Sequence, residues 1–381
     1  MNLVKFLAPE FIFGPGARHF AGQYLRNMGS RRSLVVSDGG IEAAGWIDAV
    51  VATLDAEGIP HVLFLDVHPN PRDSDSEAGV ALYRAERCDA ILAIGGGSVI
   101  DCAKGIGILS ANEGPLSRFE GIDRIERPGP PLACVPTTSG ASADVSQFAI
   151  IRELSTRRKM AICSRMLVPD VALIDPEVTR TMDRKLTAAV GVDAFVHALE
   201  AYVSNASSPI TDIHALEAMR VIPGALPAAL RDLDDMEARS LMSFASMEAG
   251  LAFSNAILGA CHAMSHAVGG LLDAAHGECN AIILPEVVRA NFAASPDKYR
   301  KAAGFLGLQG LGGGPEDGDT IADGIRTFVT GLGMAPGLAG LGLSREDIPA
   351  LAEMALTDPC MLTNPRRLAK GDVEGIYERC L

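Results

Sequence analysis

The feature that most constrains this chain is a change of pattern near its midpoint. From Leu34 to about Asp175, short β-rich runs alternate with helical segments: SLVVS, a helix through Ile47 to Glu57, HVLFLD, a helix through Glu77 to Arg87, and DAILAI. Strands separated by helix-length segments imply βαβ units, because parallel neighbours need a crossover that returns the chain to the same end of the sheet. The runs PLACVP, FAIIR, KMAIC and VALID carry the strand character on to DPEVT. After about Arg180 the strand signals stop, and long apolar segments at helical spacing take over, among them KLTAAVGVDAFVHALEAYV and ILGACHAMSHAVGGLL.

A chain of 381 residues exceeds what one hydrophobic core usually organises. The pattern therefore predicts an α/β domain over residues 1–180 and an all-helical domain over residues 181–381. The net charge of -14 repels polyphosphate, and no basic block with interleaved aromatics occurs, so neither nucleic acid nor an anionic membrane is an expected partner. The N-terminal MNLVKFLAPEFIFGPG lacks the apolar core of a secretory signal, and no later run approaches the ~20 apolar residues of a membrane span. A cytoplasmic location is expected. Eight cysteines are scattered without a CxxC pair, the pattern of reduced thiols. The glycine-rich stretch Gly310 to Gly318 follows no strand and reads as a loop.

Two loops after strand-like runs are candidates for holding phosphate. In CDAILAIGGGSVIDCAKG, Gly95, Gly96, Gly97 and Ser98 stand between an apolar strand and a helix, where bare backbone N–H groups and the helix N-terminus favour an anion. Asp101, one turn on, is a further cofactor candidate, although Asp101 and Lys104 equally read as a solvated ion pair. In VPTTSGASADVS, the hydroxyls of Thr137, Thr138 and Ser142 could meet a pyrophosphate or a carboxamide. In an open parallel sheet, ligands gather beyond the carboxyl ends of the strands, so the two loops reinforce each other.

Histidine spacing points to a metal. Asp193 and His197 stand four apart on one face of a predicted helix, His262 and His266 stand four apart on another, and His276 opens HGECNAIILP. A carboxylate with imidazoles suits divalent iron or zinc with a position left open for substrate. Spacing alone leaves open which of His262 and His266 is a ligand. His19, His61, His68 and His214 lack such neighbours in sequence and read as structural or surface residues.

Taken in order, GGGSVIDCAKG, PTTSGASADV, KMAICSRMLVPDVALIDPEVT, GVDAFVHALEAYVSNASSPITD, CHAMSHAVGG and HGECNAIILP resemble the iron-containing (group III) alcohol dehydrogenases. The likeness runs from FIFGPGA to the closing NPR segment. It implies a Rossmann-like dinucleotide-binding domain followed by a helical metal-binding domain, and a homodimer or larger homo-oligomer. It also implies hydride transfer between NAD(H) and a small to medium primary alcohol or aldehyde. Carried over by motif, the metal ligands fall on Asp193, His197, His262 and His276, with Fe(II) as the expected ion and Zn(II) as the alternative. His266 is then similar to the family's catalytic non-ligand histidine. Gly95 to Ser98 would hold the pyrophosphate; Thr137, Thr138, Lys159 and Val178 align with positions lining the cofactor. Asp38 resembles the carboxylate beside the adenosine ribose, and Asn70 sits in the family's PNP turn. Phe148 and Phe253 fall at pocket walls, with Met361 and Leu362 beside NPR. Ala141, Ser142, Ala143 and Asp144 depart from the family's usual second loop, which puts one hydroxyl contact in question.

Two other readings compete. Dehydroquinate synthases and polyol-phosphate dehydrogenases share a similar architecture, but phosphate recognition needs charge-assisted donors, and the segments around the four candidate ligands are apolar and small. A catalytically inactive scaffold subunit would have no packing reason to keep four polar residues in apolar helices.

Overall fold

The computed structural model describes residues 4–381. The chain forms two compact units, one of Leu7–Met182 and one of Asp183–Leu381, to which residues 4–6 also belong.

The first unit contains nine strands: β1 (Glu10–Phe13), β2 (Ser33–Val36), β3 (His61–Phe64), β4 (Ala90–Gly95), β5 (Gly121–Ile122), β6 (Leu132–Pro136), β7 (Phe148–Glu153), β8 (Arg158–Cys163) and β9 (Val171–Ile174). Its helices are α1 (Ala21–Asn27), α2 (Gly39–Ala43), α3 (Trp46–Ala56), α4 (Asp73–Ala85) and α5 (Gly97–Ala111). Six strands make a parallel sheet in the order β1-β9-β6-β4-β2-β3. Alternate residues serve its two faces. Leu34, Val36, Ile91, Ala93 and Cys134 join one buried cluster, while Val35, Leu92, Ile94, Ala133 and Val135 join the other. A sheet covered on both faces needs apolar residues at every position, which is why these strands read as continuous apolar runs.

Two features of this unit differ from the sequence reading. FAIIR and KMAIC do not extend the parallel sheet: β7 and β8 pair antiparallel and, with the two-residue β5, form a separate three-stranded sheet. Their tight connection through Leu154 to Arg157 is too short for a parallel crossover. Edge strand β1 gave no strand signal, because it is four residues long and mostly exposed, with Phe11 and Phe13 each 39% exposed.

The second unit is helical: α6 (Arg184–Val203), α7 (Pro209–Arg231), α8 (Met236–Ala256), α9 (Ala260–Leu272), α10 (His276–Asn291), α11 (Pro296–Phe305), α12 (Asp317–Gly331), α13 (Ile348–Thr357) and α14 (Lys370–Cys380). Helix α6 packs against α7, α8 and α10. By length and apolarity α6 could cross a membrane, contrary to the sequence expectation that no run comes close. It is instead a core helix: 89% of its most apolar window is buried, and that burial includes Asp193, His197 and Glu200. All eight cysteines are free and buried. Burial pushes Cys102 and Cys380 up to about 12, far from the reactive thiolate range.

Lys104 corrects another expectation. It is not half of a solvated pair: it is 2% exposed, and its ammonium donates to the carbonyls of Ser146 (2.8 Å) and Phe148 (2.7 Å). Asp101 accepts the Ile150 N–H at 3.1 Å, so α5 fastens the start of β7. Lys104→Ala should destabilise the protein by about 2–4 kcal/mol, because it strands two buried carbonyls and empties a side-chain volume. Denaturant unfolding of the variant checks this; a loss within the ±0.5 kcal/mol of a surface substitution would contradict it.

Candidate active site

In the α/β unit the chain reverses direction across the sheet at β2 and β4. From β2 the next sheet strand, β3, lies on one side; from β4 the next, β6, lies on the other. The carboxyl ends of these two neighbours form the topological switch point at which open α/β sheets bind ligands. Asp38 follows β2, and Gly95 ends β4. The Ser37 hydroxyl donates to the Ile94 carbonyl at 2.6 Å, locking the two ends together.

The glycines of the β4–α5 turn are required by close approach. A Cβ on Gly97 would lie 2.6 Å from the Ala141 Cβ, and one on Gly96 would lie 3.0 Å from the Thr138 methyl. The Thr137 N–H donates to the Gly95 carbonyl at 3.0 Å, so the loops that the sequence singled out are in contact. Gly96, Gly97 and Ser98 stay partly accessible at the α5 N-terminus, where backbone N–H groups lack helical partners. The Thr137 hydroxyl is buried with no hydrogen-bond partner. Ser142 is buried at φ 51°, its hydroxyl donating to the Gly140 carbonyl at 3.2 Å. Burial pushes the nearby Asp144 carboxyl up to about 6.

The remaining cofactor candidates are scattered over this unit. Asp38 caps α2, with Oδ1 accepting the N–H groups of Gly40 (2.8 Å) and Ile41 (3.0 Å). Asn70 adopts φ 53° in the turn after β3; the Pro71 carbonyl of that turn accepts the Arg152 N–H, and Arg152 stands opposite Lys159 in the β7–β8 ladder. Turn and lysine are thereby brought together. The Val178 side chain is wholly buried in the hydrophobic core. Phe148, 6% exposed, begins β7.

In the helical unit, Asp193 and His197 lie on α6, His262 and His266 on α9, and His276 at the start of α10. Ligand-type atoms of Asp193, His262 and His276 all fall within 4.8 Å of one another. Asp193 Oδ1 is 3.7 Å from His262 Nε2 and 3.8 Å from His276 Nε2, and Asp193 Oδ2 is 3.9 Å from His197 Nδ1. The His197 ring stacks between Phe253 and His262, with both centroid distances 4.4 Å. His266 pairs with a different carboxylate: its Nδ1 lies 2.8 Å from Asp358 Oδ2, and its ring stacks on His276 at 5.1 Å. The geometry thus groups His262, rather than His266, with Asp193.

Three residues of this cluster escaped the sequence reading. Glu200 accepts from His262 Nδ1 at 2.6 Å. Asn280 Nδ2 donates to Asp193 Oδ1 at 2.6 Å and lies 3.2 Å from both His262 Nε2 and His276 Nε2. Asp358 holds His266. Spacing carried a signal for two of them: Asp193, His197 and Glu200 recur at i, i+4 and i+7, and Asn280 follows His276 by four. Nothing local marks Asp358.

Electrostatics divide these groups. Burial holds the His262 imidazole well below its usual pKa, hence neutral. Burial pushes Glu200 up to about 7 against three backbone N–H groups that pull it down. Burial also pushes Asp358 up, but His266 and the hydrogen bonds to Cys360 together outweigh it and leave the carboxyl below its usual range. Met361 is half-buried in the short helical turn that carries Asp358, and Leu362 is 73% exposed.

The chain is similar to known proteins over its whole length. The iron-containing alcohol dehydrogenase model matches residues 8–176, and the C-terminal model of the Fe-containing alcohol dehydrogenase family matches residues 187–381. The chain is 37% identical over 382 residues to the 1,3-propanediol dehydrogenase of Citrobacter freundii, covering 99% of both chains. It is 34% identical over 378 residues to the NAD-dependent methanol dehydrogenase of Bacillus methanolicus, again covering 99% of both. The crystal structure of a 1,3-propanediol oxidoreductase, 36% identical, superposes with a TM-score of 0.95 over 100% of each chain. The chain belongs to the iron-containing alcohol dehydrogenase family.

Proposed function

We propose that this enzyme interconverts small to medium primary alcohols and aldehydes with NAD(H), and that Asp193, His197, His262 and His276 hold a divalent ion, Fe(II) in the first place and Zn(II) as the alternative. The observation that carries the reading is the convergence of Asp193, His262 and His276, from three different helices, with ligand-type atoms within 4.8 Å of one another. The donor set fits a borderline divalent cation: one carboxylate, and imidazoles of which His262 is held neutral with its Nδ1 committed to Glu200. When bound, the ion supplies Lewis acidity toward the oxygen of an alcohol or aldehyde, and nicotinamide supplies the acceptor or donor of hydride.

The chain's own groups have separate tasks. The Gly96 and Gly97 backbone, which no Cβ shields, and the accessible N-terminus of α5 would cradle a pyrophosphate, with Ser98 and Asp101 in the helix's first turns. The unpartnered Thr137 hydroxyl would donate to the same dinucleotide. Val178, a core side chain, would contribute through its backbone alone. His266, oriented through Nδ1 by Asp358, would hold or pass the substrate hydroxyl proton at Nε2. Phe253 would support the site by fixing the His197 ring rather than by lining an open pocket. The diol and methanol named for the two relatives support a small substrate.

Asp38 supports NAD over NADP. Oδ1 is engaged in capping α2, but a carboxylate has two oxygens, and its charge would oppose a 2′-phosphate.

His262→Ala and His276→Ala should each lose metal and alcohol oxidation together, whereas His266→Ala should retain metal while losing rate. Elemental analysis beside a dehydrogenase assay tests the reading; metal retained by His262→Ala and lost by His266→Ala would overturn the ligand choice. In Asp38→Gly the ratio of kcat/KM for NAD to that for NADP should fall by about tenfold or more. Steady-state kinetics with both cofactors measures it, and an unchanged ratio would remove Asp38 from cofactor selection.

A further inference from the structure

The turn from α8 into α9 changes the helix direction by 100°, through Ile257 at φ 59°, and presents the start of α9 to α6. A helix that begins inside a core must find partners for its first N–H groups, and the cap residue Gly259 has no side chain to offer. Every one of those groups is nonetheless satisfied. Ala260 N–H donates to Asn364 Oδ1 (3.0 Å), Cys261 N–H to Glu200 Oε1 (2.7 Å), His262 N–H to Glu200 Oε2 (3.2 Å), and Ala263 N–H to the Gly259 carbonyl (3.1 Å). The Gly259 N–H also donates to Glu200 Oε2, at 3.2 Å. A Cβ on Gly259 would stand 2.9 Å from both Glu200 Oε1 and Asn364 Oδ1, so glycine is what lets the carboxylate in.

The same carboxylate takes a fourth donor, His262 Nδ1, at 2.6 Å. Oε2 already accepts the N–H groups of Gly259 and His262, so that oxygen has no room for a proton of its own, and the hydrogen it shares with the imidazole belongs to Nδ1. The lone pair of His262 is therefore on Nε2, the nitrogen that faces Asp193 Oδ1 at 3.7 Å.

We infer that Glu200 is a positioning residue for the metal centre: it fixes the Nδ1–H tautomer of His262 and, in the same carboxylate, caps the helix that carries His262. This rests on the metal reading above. Helix capping and ligand orientation are thus one interaction, and α9 cannot be docked on α6 without also setting His262 for coordination. The anion is essential because an amide cannot imitate it. With its oxygen at the Oε2 position, a glutamine would turn its NH2 on the Cys261 N–H. Turned the other way, it would face the N–H groups of Gly259 and His262 and drive the imidazole proton onto Nε2, where it blocks a metal.

The experiment measures Zn(II) affinity of the full chain by chelator competition, together with the melting temperature of the metal-free protein. Glu200→Gln should bind zinc about 10–100-fold more weakly than the wild type. Asn364→Ala serves as the capping control: the Asn364 side chain takes an N–H from the same helix end, and its other side-chain hydrogen bonds go to Asn291 and Arg366. It should lower the melting temperature yet keep zinc affinity within about twofold, a separation expected because Asn364 is not a partner of the imidazole. Should Glu200→Gln fail to fold, Glu200→Asp replaces it: the anion remains at the helix end but is one methylene short of Nδ1, so melting should recover more than zinc affinity. Wild-type zinc affinity in either Glu200 variant, or equal zinc losses in a Glu200 variant and Asn364→Ala, would overturn the inference. A wild type that binds no zinc or iron would instead overturn the metal reading itself, and this inference with it.

Discussion

The structure of the helical unit depends on how it buries a carboxylate. Helix α6 is apolar around nearly its whole circumference, and into that setting it brings Asp193, His197 and Glu200 on one face. Removing a carboxylate from water costs several kcal/mol unless charge-assisted hydrogen bonds replace the solvent. For Glu200 the replacement comes from three backbone N–H groups of the α8–α9 junction and one imidazole. The anion also lies at the positive end of α9, an arrangement worth up to about 2 kcal/mol when partly buried. Charge, helix end and histidine therefore stabilise one another, and deleting any of them leaves the others unsatisfied.

Asp193 is in a different position. Within the described residues its carboxylate has the Asn280 amide at 2.6 Å and three imidazoles around it, two of them approaching through Nε2. Asn280 Nδ2 stands within hydrogen-bond reach of one oxygen and two nitrogens that a cation would draw together. In the α/β unit, by contrast, the features proposed to meet the cofactor are mostly backbone: bare glycines, an open helix start and a switch in strand order, which would favour an anion with little side-chain chemistry.

Much of this was legible in the sequence. Continuous apolar strands alternating with helical segments gave the doubly covered parallel sheet, and the i, i+4 pairs of aspartate and histidine pointed to α6 and α9. What failed to show has a physical cause in each case. The apolar halves of β7 and β8 read like sheet strands, and only their charged, closely connected ends, from Arg152 to Lys159, betray antiparallel pairing. Lys104 looked like a surface residue because its charge is visible in sequence while the carbonyls that satisfy it, those of Ser146 and Phe148, are not. Asp358 is 92 residues from His266, so tertiary structure alone could pair them. Glu200 was within reach of the periodicity argument, but a third polar position on an apolar helix has meaning only once the end of α9 is known to face it.

The central claim is that Asp193, His197, His262 and His276 form one metal centre. Anomalous diffraction at the iron and zinc edges, on crystals of the reconstituted protein, tests it most directly. The account predicts a single peak about 2.0–2.2 Å from a carboxylate oxygen of Asp193 and from the Nε2 atoms of His262 and His276, with His197 as the fourth ligand. A peak held instead by His266, Asp358 and Cys360, whose ligand atoms also lie within 4.8 Å of one another, would contradict it.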